Sequence, residues 1–255
     1  MGTDRQNGSL YTKIEDRVAT VEFGHPASNS FVGELLDRLA KEFDKLSEAD
    51  EVSLILLRSE GDRAFCAGAS FDELISISNL EEGKRFFGGF AKVINAMRQC
   101  TKPIVGRIQG KAVGGGVGLI AACDYAVATV AAATRLSELT IGIAPLVIAP
   151  AVERKIGKAG LAEMALAPTE WKNAYWAQEK GLFSKVFEDI KTMDKEIHFL
   201  CQKLASYNPQ ALQKMKQVLW EGTEDWGDLL EKRAEMSGRL ALSEETKSAL
   251  SAFKK

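Results

Sequence analysis

The hydrophobic pattern of the chain changes period several times, and each change predicts an element. Leu10 to Ile14 and Val18 to Phe23 alternate around the charged turn Glu15-Asp16-Arg17, which predicts an antiparallel hairpin. Past His25-Pro26 and a Ser/Asn-rich corner, Phe31, Leu35, Leu36, Leu39, Phe43 and Leu46 recur at helical spacing, with Ser30 as candidate N-cap. Val52 to Leu57 is nearly continuously apolar, as expected of a strand covered on both faces, so strand, helix and strand form a crossover unit. Leu80 to Gln99 is helical, with the stripe Phe86, Phe87, Phe90, Val93, Ile94 and Met97 softened by Gly88-Gly89. Pro103 to Ile108 is a strand, followed by Gly114-Gly115-Gly116 and an apolar small-residue helix ending near Asp124. Tyr125 to Thr129 is a further strand, and Ala132 to Leu136 leads into a turn-rich segment ending at Pro145. Beyond it the pattern predicts helices over 147–156, 161–166 and 170–179, then a short apolar piece, Phe183 to Phe187. From Lys191 to Lys255 it is helical throughout, with breaks near Asn208-Pro209 and Gly222. The tail must bury Leu219, Trp220, Trp226, Leu229, Leu230 and Phe253, against its own core or against another subunit.

Two small-residue loops carry the candidate chemistry. Three glycines at a helix start let a ligand approach backbone N–H groups that have no partner inside the helix, at the positive end of its dipole. A tight packing point would use the same residues. A P-loop is excluded because Lys111 precedes the glycines instead of following them, and the dinucleotide fingerprint fails because its third glycine position is Leu119, with Gly118 one residue early. The second loop, Arg58 to Phe71, contains Cys66-Ala67-Gly68-Ala69-Ser70 after a buried strand; alone it would read as an ordinary turn. Since both loops follow strands, they can meet at one sheet edge and aim two N–H groups at one oxygen, which is an oxyanion hole. Glu138, a lone carboxylate in an apolar turn-rich segment, would have its pKa raised if enclosed.

Composition narrows the classes. The chain has 255 residues, 45% of them hydrophobic, enough for a sizeable core. The formal net charge is -2, with basic residues scattered among acids, which argues against nucleic acid as main partner. No apolar run reaches membrane-spanning length and MGTDRQNGSL lacks a signal core; Gly2 is followed by Gln6 where a myristoylation motif needs Ser or Thr. The expectation is a soluble, cytoplasmic protein without a membrane partner. Cys66, Cys100, Cys123 and Cys201 have no close pairing and read as reduced and buried. His25 and His198 are too few for a metal cluster or a histidine triad, so no metal is expected and acid–base work falls to carboxylates.

Taken together, Ala64-Phe65-Cys66-Ala67-Gly68-Ala69, the stretch Lys102-Pro103-Ile104 to Gly116, the segment Ser137 to Pro145 and the helical tail resemble the crotonase superfamily of enoyl-CoA hydratases and isomerases over Leu10 to Lys255. The resemblance implies an α/β fold: a crotonase-like spiral of ββα repeats over 1–190 and an all-helical C-terminal oligomerisation region over 191–255, assembled as a homotrimer or dimer of trimers. It implies an acyl-CoA substrate of fatty acid metabolism and no cofactor. The motif positions of the oxyanion hole fall on Ala69 and Gly115, with Gly114 adjacent, and Cys66, Ala67 and Phe71 fall where the family wraps CoA. Ser70 departs from a frequent aspartate. The first glutamate of the hydratases is replaced by Gly118, whose smallness would leave room for substrate or water, and the second matches Glu138. A single glutamate resembles the 3-enoyl-CoA to 2-enoyl-CoA isomerases. Alternatives are a hydratase, possibly of methylglutaconyl type, completed by Asp72 or Glu73, and a non-catalytic acyl-CoA-binding scaffold. Decarboxylation uses the same enolate.

Overall fold

In the computed structural model, which describes residues 5–253, the predicted hairpin is present: Ser9–Glu15 (β1) pairs antiparallel with Val18–Gly24 (β2). Asp16 and Arg17 both hold positive φ (48° and 66°), the geometry that lets a two-residue turn follow the twist of its strands. Gly33–Glu48 (α1) crosses over to Leu54–Ser59 (β3), which lies parallel to β2. Phe71–Ser76 (α2) and Leu80–Gln99 (α3) lead to Ile104–Ile108 (β4). The chain then repeats a simple unit. Ala112–Val113 (β5) and Gly115–Ala122 (α4) follow β4, and Tyr125–Thr129 (β6), Ala133–Arg135 (β7) and Ala149–Leu166 (α5) come next. Lys172–Asn173 (β8), Ala174–Glu179 (α6) and Lys185–Phe187 (β9) complete the α/β part. Its helices are followed by Ile190–Ala205 (α7), Pro209–Leu219 (α8), Trp226–Ala241 (α9) and Glu244–Phe253 (α10).

The strands form two sheets, the first four all in the larger one. The larger has the order β1-β2-β3-β4-β6-β9, parallel except for the opening hairpin, and the smaller has β5-β7-β8. This is the expected ββα spiral. The large sheet is covered on both faces, as the apolar run through β3 predicts: Ile55 and Leu57 join the main core with α1, α3 and α4, while Leu54, Val105 and Val127 pack against Met193, Ile197 and Cys201 of α7. All four cysteines are unpaired and buried. No described helix is long and apolar enough to cross a membrane.

Several boundaries differ from the sequence reading. Ser30 does not cap α1; Phe31 instead bridges to Ala69, and the first helical N–H, from Gly33, is satisfied from outside by Glu73 Oε2 at 2.8 Å. Gly88-Gly89 do not interrupt α3. Gly89 instead admits Leu36 of α1, since a β-carbon there would lie 2.8 Å from Leu36 Cδ1. The segment predicted as helix from Glu170 begins as β8, an added strand of the small sheet. Gly157, at φ 70°, kinks the long α5 where two helices are predicted.

The tail is anchored to the core by a buried polar knot. Asp124, at the end of α4, accepts hydrogen bonds from Ile104 N (2.7 Å), Lys216 Nζ (2.9 Å) and Trp220 Nε1 (2.6 Å), and Lys216 also donates to Met97 O (2.8 Å). Further along, α9 crosses α3 so closely that a β-carbon on Gly83 would lie 2.8 Å from Gly238 Cα. Gly2 and the side chain of Phe253 lie outside the described residues.

Candidate active site

The two small-residue loops meet, because each follows a parallel strand and leaves at the same sheet edge. Cys66 bridges to Ala112, and a β-carbon on Gly68 would stand 3.0 Å from Val113 O and 4.0 Å from Gly115 N. Gly68 and Gly114 both hold positive φ (93° and 51°), conformations that glycine adopts at little cost. Among the described residues, neither Ala69 N–H nor Gly115 N–H has a hydrogen-bond acceptor. The neighbouring groups are committed: Ser70 N donates to Phe31 O, and Gly114 N donates to Arg135 O at 2.9 Å. Two free donors therefore border one cavity.

That cavity has a volume of about 430 Å³. Its floor is Ala67, Gly68, Ala69, Gly114 and Gly115, and its walls include Phe71, Leu74, Phe86, Phe87, Phe90, Ile141 and Ile148. A larger groove of about 780 Å³ lies between α1, α3 and the start of α9, but charged side chains such as Asp37, Lys41, Lys84 and Lys92 line it.

Glu138 opens a short 3-10 turn, Glu138–Ile141, that caps the cavity. A β-carbon on Gly114 would lie 2.7 Å from Glu138 Oε1, so the carboxyl leans directly over the glycine loop. Although the residue as a whole is half-buried, Glu138 Oε2 is sealed from solvent and has no hydrogen-bond partner. This desolvation raises its pKa from 4.5 to about 7. Glu138 is the one carboxylate among the described residues that borders the cavity.

Other expected site residues are placed differently. Cys66 is fully buried behind the loop, its thiol pushed up to about 12 by burial, and it receives Gly68 N–H at 3.3 Å. Ser70 caps α2 by accepting Glu73 N–H, and neither residue lines the cavity. Gly118 does not leave room for substrate: it is buried away from the cavity, and a β-carbon there would lie 2.7 Å from Ile148 Cβ. Ile148 itself fills the space beside it and forms part of the wall. Asp72 and Glu73 also stand outside the cavity, and Glu73 is engaged with α1.

Several wall residues escaped the sequence reading, Ile148 and Arg135 among them. Ile148 is brought in by a fold-level contact that no local pattern encodes. Arg135 left a signal, a charged residue in the otherwise apolar or small Ala-Ala-Ala-Thr-Arg-Leu run. The stripe Phe86, Phe87 and Phe90 is both core and cavity wall.

Comparison with known proteins places the chain in a family. The family model for enoyl-CoA hydratase/isomerase matches residues 13–255. A peroxisomal Delta(3,5)-Delta(2,4)-dienoyl-CoA isomerase of Arabidopsis thaliana is 29% identical over 72% of this chain and 70% of the relative. A short-chain-enoyl-CoA hydratase of Clostridium acetobutylicum is 28% identical over 94% of this chain and 92% of the relative. The crystal structure of an enoyl-CoA hydratase from Bacillus halodurans superposes with a TM-score of 0.88 at 20% identity, covering 95% of this chain and 99% of that one, which speaks to the fold alone. Relatives named for double-bond migration and for hydration thus align with the same chain, and what they share is the outcome: the chain belongs to the enoyl-CoA hydratase/isomerase family, the enzymes of the crotonase superfamily.

Proposed function

We propose that the protein is an isomerase that converts 3-enoyl-CoA to 2-enoyl-CoA through an enolate. The observation that carries this reading is the single carboxylate, Glu138, set over a loop with two unpaired backbone donors. The thioester oxygen lies between Ala69 N–H and Gly115 N–H. Glu138, ionised, removes the proton at C2, and the electron pair moves onto the oxygen, where the two donors hold it. Each such donor contributes roughly 2.7–4 kcal/mol to the transition state. The dienolate then collapses, the double bond forms between C2 and C3, and Glu138 returns the proton at C4. One group suffices because both carbons belong to one planar system on one face.

A carboxyl with a pKa of about 7 suits this task, since it is a stronger base than an exposed glutamate and is still ionised in part at neutral pH. The apolar walls exclude water from the carbanion. Hydration needs a water-activating group and a proton donor, and Asp72 and Glu73 stand away from the cavity, which supports isomerisation over hydration. The same reading includes assembly: α7 and α8 present Phe199, Met215 and Val218 at 64%, 51% and 53% exposure, and we place the contacts of a trimer on these helices.

The test is Glu138→Gln. It should bind 3-enoyl-CoA as the wild type does yet form the conjugated product about 10²–10⁴-fold more slowly. Wild-type turnover in the variant would overturn the assignment of Glu138.

A further inference from the structure

The cavity has one feature that proton transfer to C2 and C4 does not use. Arg135, at the end of β7, borders the cavity together with Val113, its register partner on β5, while Thr134 between them and β8 points to the opposite, buried face. Its guanidinium carbon lies 4.5 Å from the ring centre of Trp171, and Lys111 Nζ lies 4.9 Å from the same ring. Two cations therefore share one aromatic ring. Among the described residues, no ion pair joins either to a carboxylate, and Arg135 Nε is sealed from solvent without a hydrogen-bond partner.

This arrangement is incomplete as a structural device. Stacking engages only the face of a guanidinium, leaving its in-plane N–H edge free to donate. A buried N–H without an acceptor is costly, and two like charges drawn together at one ring raise that cost further. Arg135 also forms no ion pair with Glu138, so it does not serve to keep that carboxylate ionised. A carboxylate arriving in the cavity would accept from that edge and offset one of the two positive charges.

We propose that Arg135 recognises a carboxylate carried on the acyl group of the bound thioester, with Lys111 reinforcing the field, so that the enzyme favours CoA esters of dicarboxylic acids. The inference rests on reading the cavity as the acyl-CoA site. Within that reading the anion belongs to the acyl group rather than to the phosphates of CoA. Arg135 O accepts the Gly114 N–H, which puts its backbone beside the oxyanion donors, whereas the phosphates lie a whole pantetheine arm away.

The test measures binding by titration calorimetry on the whole wild-type protein, Arg135→Met and Arg135→Lys. Glutaryl-, adipoyl- and pimeloyl-CoA are compared with pentanoyl-, hexanoyl- and heptanoyl-CoA, matched in carbon number. At one or more lengths the carboxylated thioester should bind wild type about 10–100-fold more tightly than its alkyl partner. Arg135→Met should abolish that advantage while leaving alkyl affinity within about twofold, and Arg135→Lys should keep part of it. The proposal is overturned if alkyl thioesters bind as well or better at every length. It is equally overturned if the substitutions weaken both members of each pair alike, the mark of an arginine that holds the CoA arm or merely props Trp171. Should Arg135→Met not fold, wild type and Arg135→Lys decide by the same criteria. Saturated thioesters neither isomerise nor hydrate, so failure here leaves the isomerase reading standing, and failure of that reading leaves a binding preference measurable.

Discussion

Glu138 couples activity to stability through one titration. In the unfolded chain it ionises near 4.5, and in the folded protein near 7. Between these values the folded state holds a proton that the unfolded state has lost, so this group's contribution to stability is intact below about pH 4.5 and declines as pH rises through about 7. The full cost is about 3 kcal/mol. Glu138→Gln should therefore melt at the same temperature as wild type near pH 4 and higher at pH 8, while wild-type turnover rises with pH to a plateau above about 7. Equal melting temperatures at both pH values, or a rate that falls across this range, would contradict the enclosed carboxylate. Glu138 was legible in the sequence because an acid among Leu, Ile and Ala needs a reason. The environment of Gly118 was not, since Ile148 reaches it from the start of another helix, and neither was the role of Arg135, which depends on Trp171, in the loop just before β8 and distant in sequence.

At the scale of elements, what holds the glycine helix in place is its C-terminal end. Asp124 ties α4 to β4 and to α8 through Lys216 and Trp220, with side-chain exposures of 5% for Asp124 and 2% for Lys216. Removing one partner of such a pair leaves a buried charge, which costs roughly 3–5 kcal/mol. Lys216→Ala should lower the urea midpoint accordingly with an unchanged slope, and a midpoint equal to wild type would show that the knot is dispensable. The elements with the strongest periods were read correctly, α3 and β6 at their observed ends. Those that failed answer to partners outside their own window: β8 exists because β7 offers an edge, and α1 begins late because Phe31 pairs with the loop at Ala69.

The whole molecule shows how a repeated ββα unit makes a site: from β4 onward the chain passes back and forth between two sheets, and the loops after β3 and β4 gather at one edge. The class of fold was readable from alternating strands and helices, and the spiral itself from family resemblance; the two-sheet division rests on strands of two or three residues too short to leave a pattern. The apolar side chains of α7 and α8 belong to this scale as well. Sedimentation should give a species of three or six times the 27.8 kDa chain, and Phe199→Glu should dissociate it. A wild-type monomer at micromolar concentration would contradict the assembly. The central claim, one carboxylate moving a proton beneath an oxyanion hole, is tested most directly by offering the purified enzyme 3-enoyl-CoA and 2-enoyl-CoA in parallel and following the absorbance of the conjugated thioester. The account predicts that conjugation appears from the 3-enoyl substrate, that the 2-enoyl substrate gains no water, and that Glu138→Gln forms the conjugated product about 10²–10⁴-fold more slowly. Loss of the 2-enoyl signal into a 3-hydroxyacyl product would contradict it and make the enzyme a hydratase.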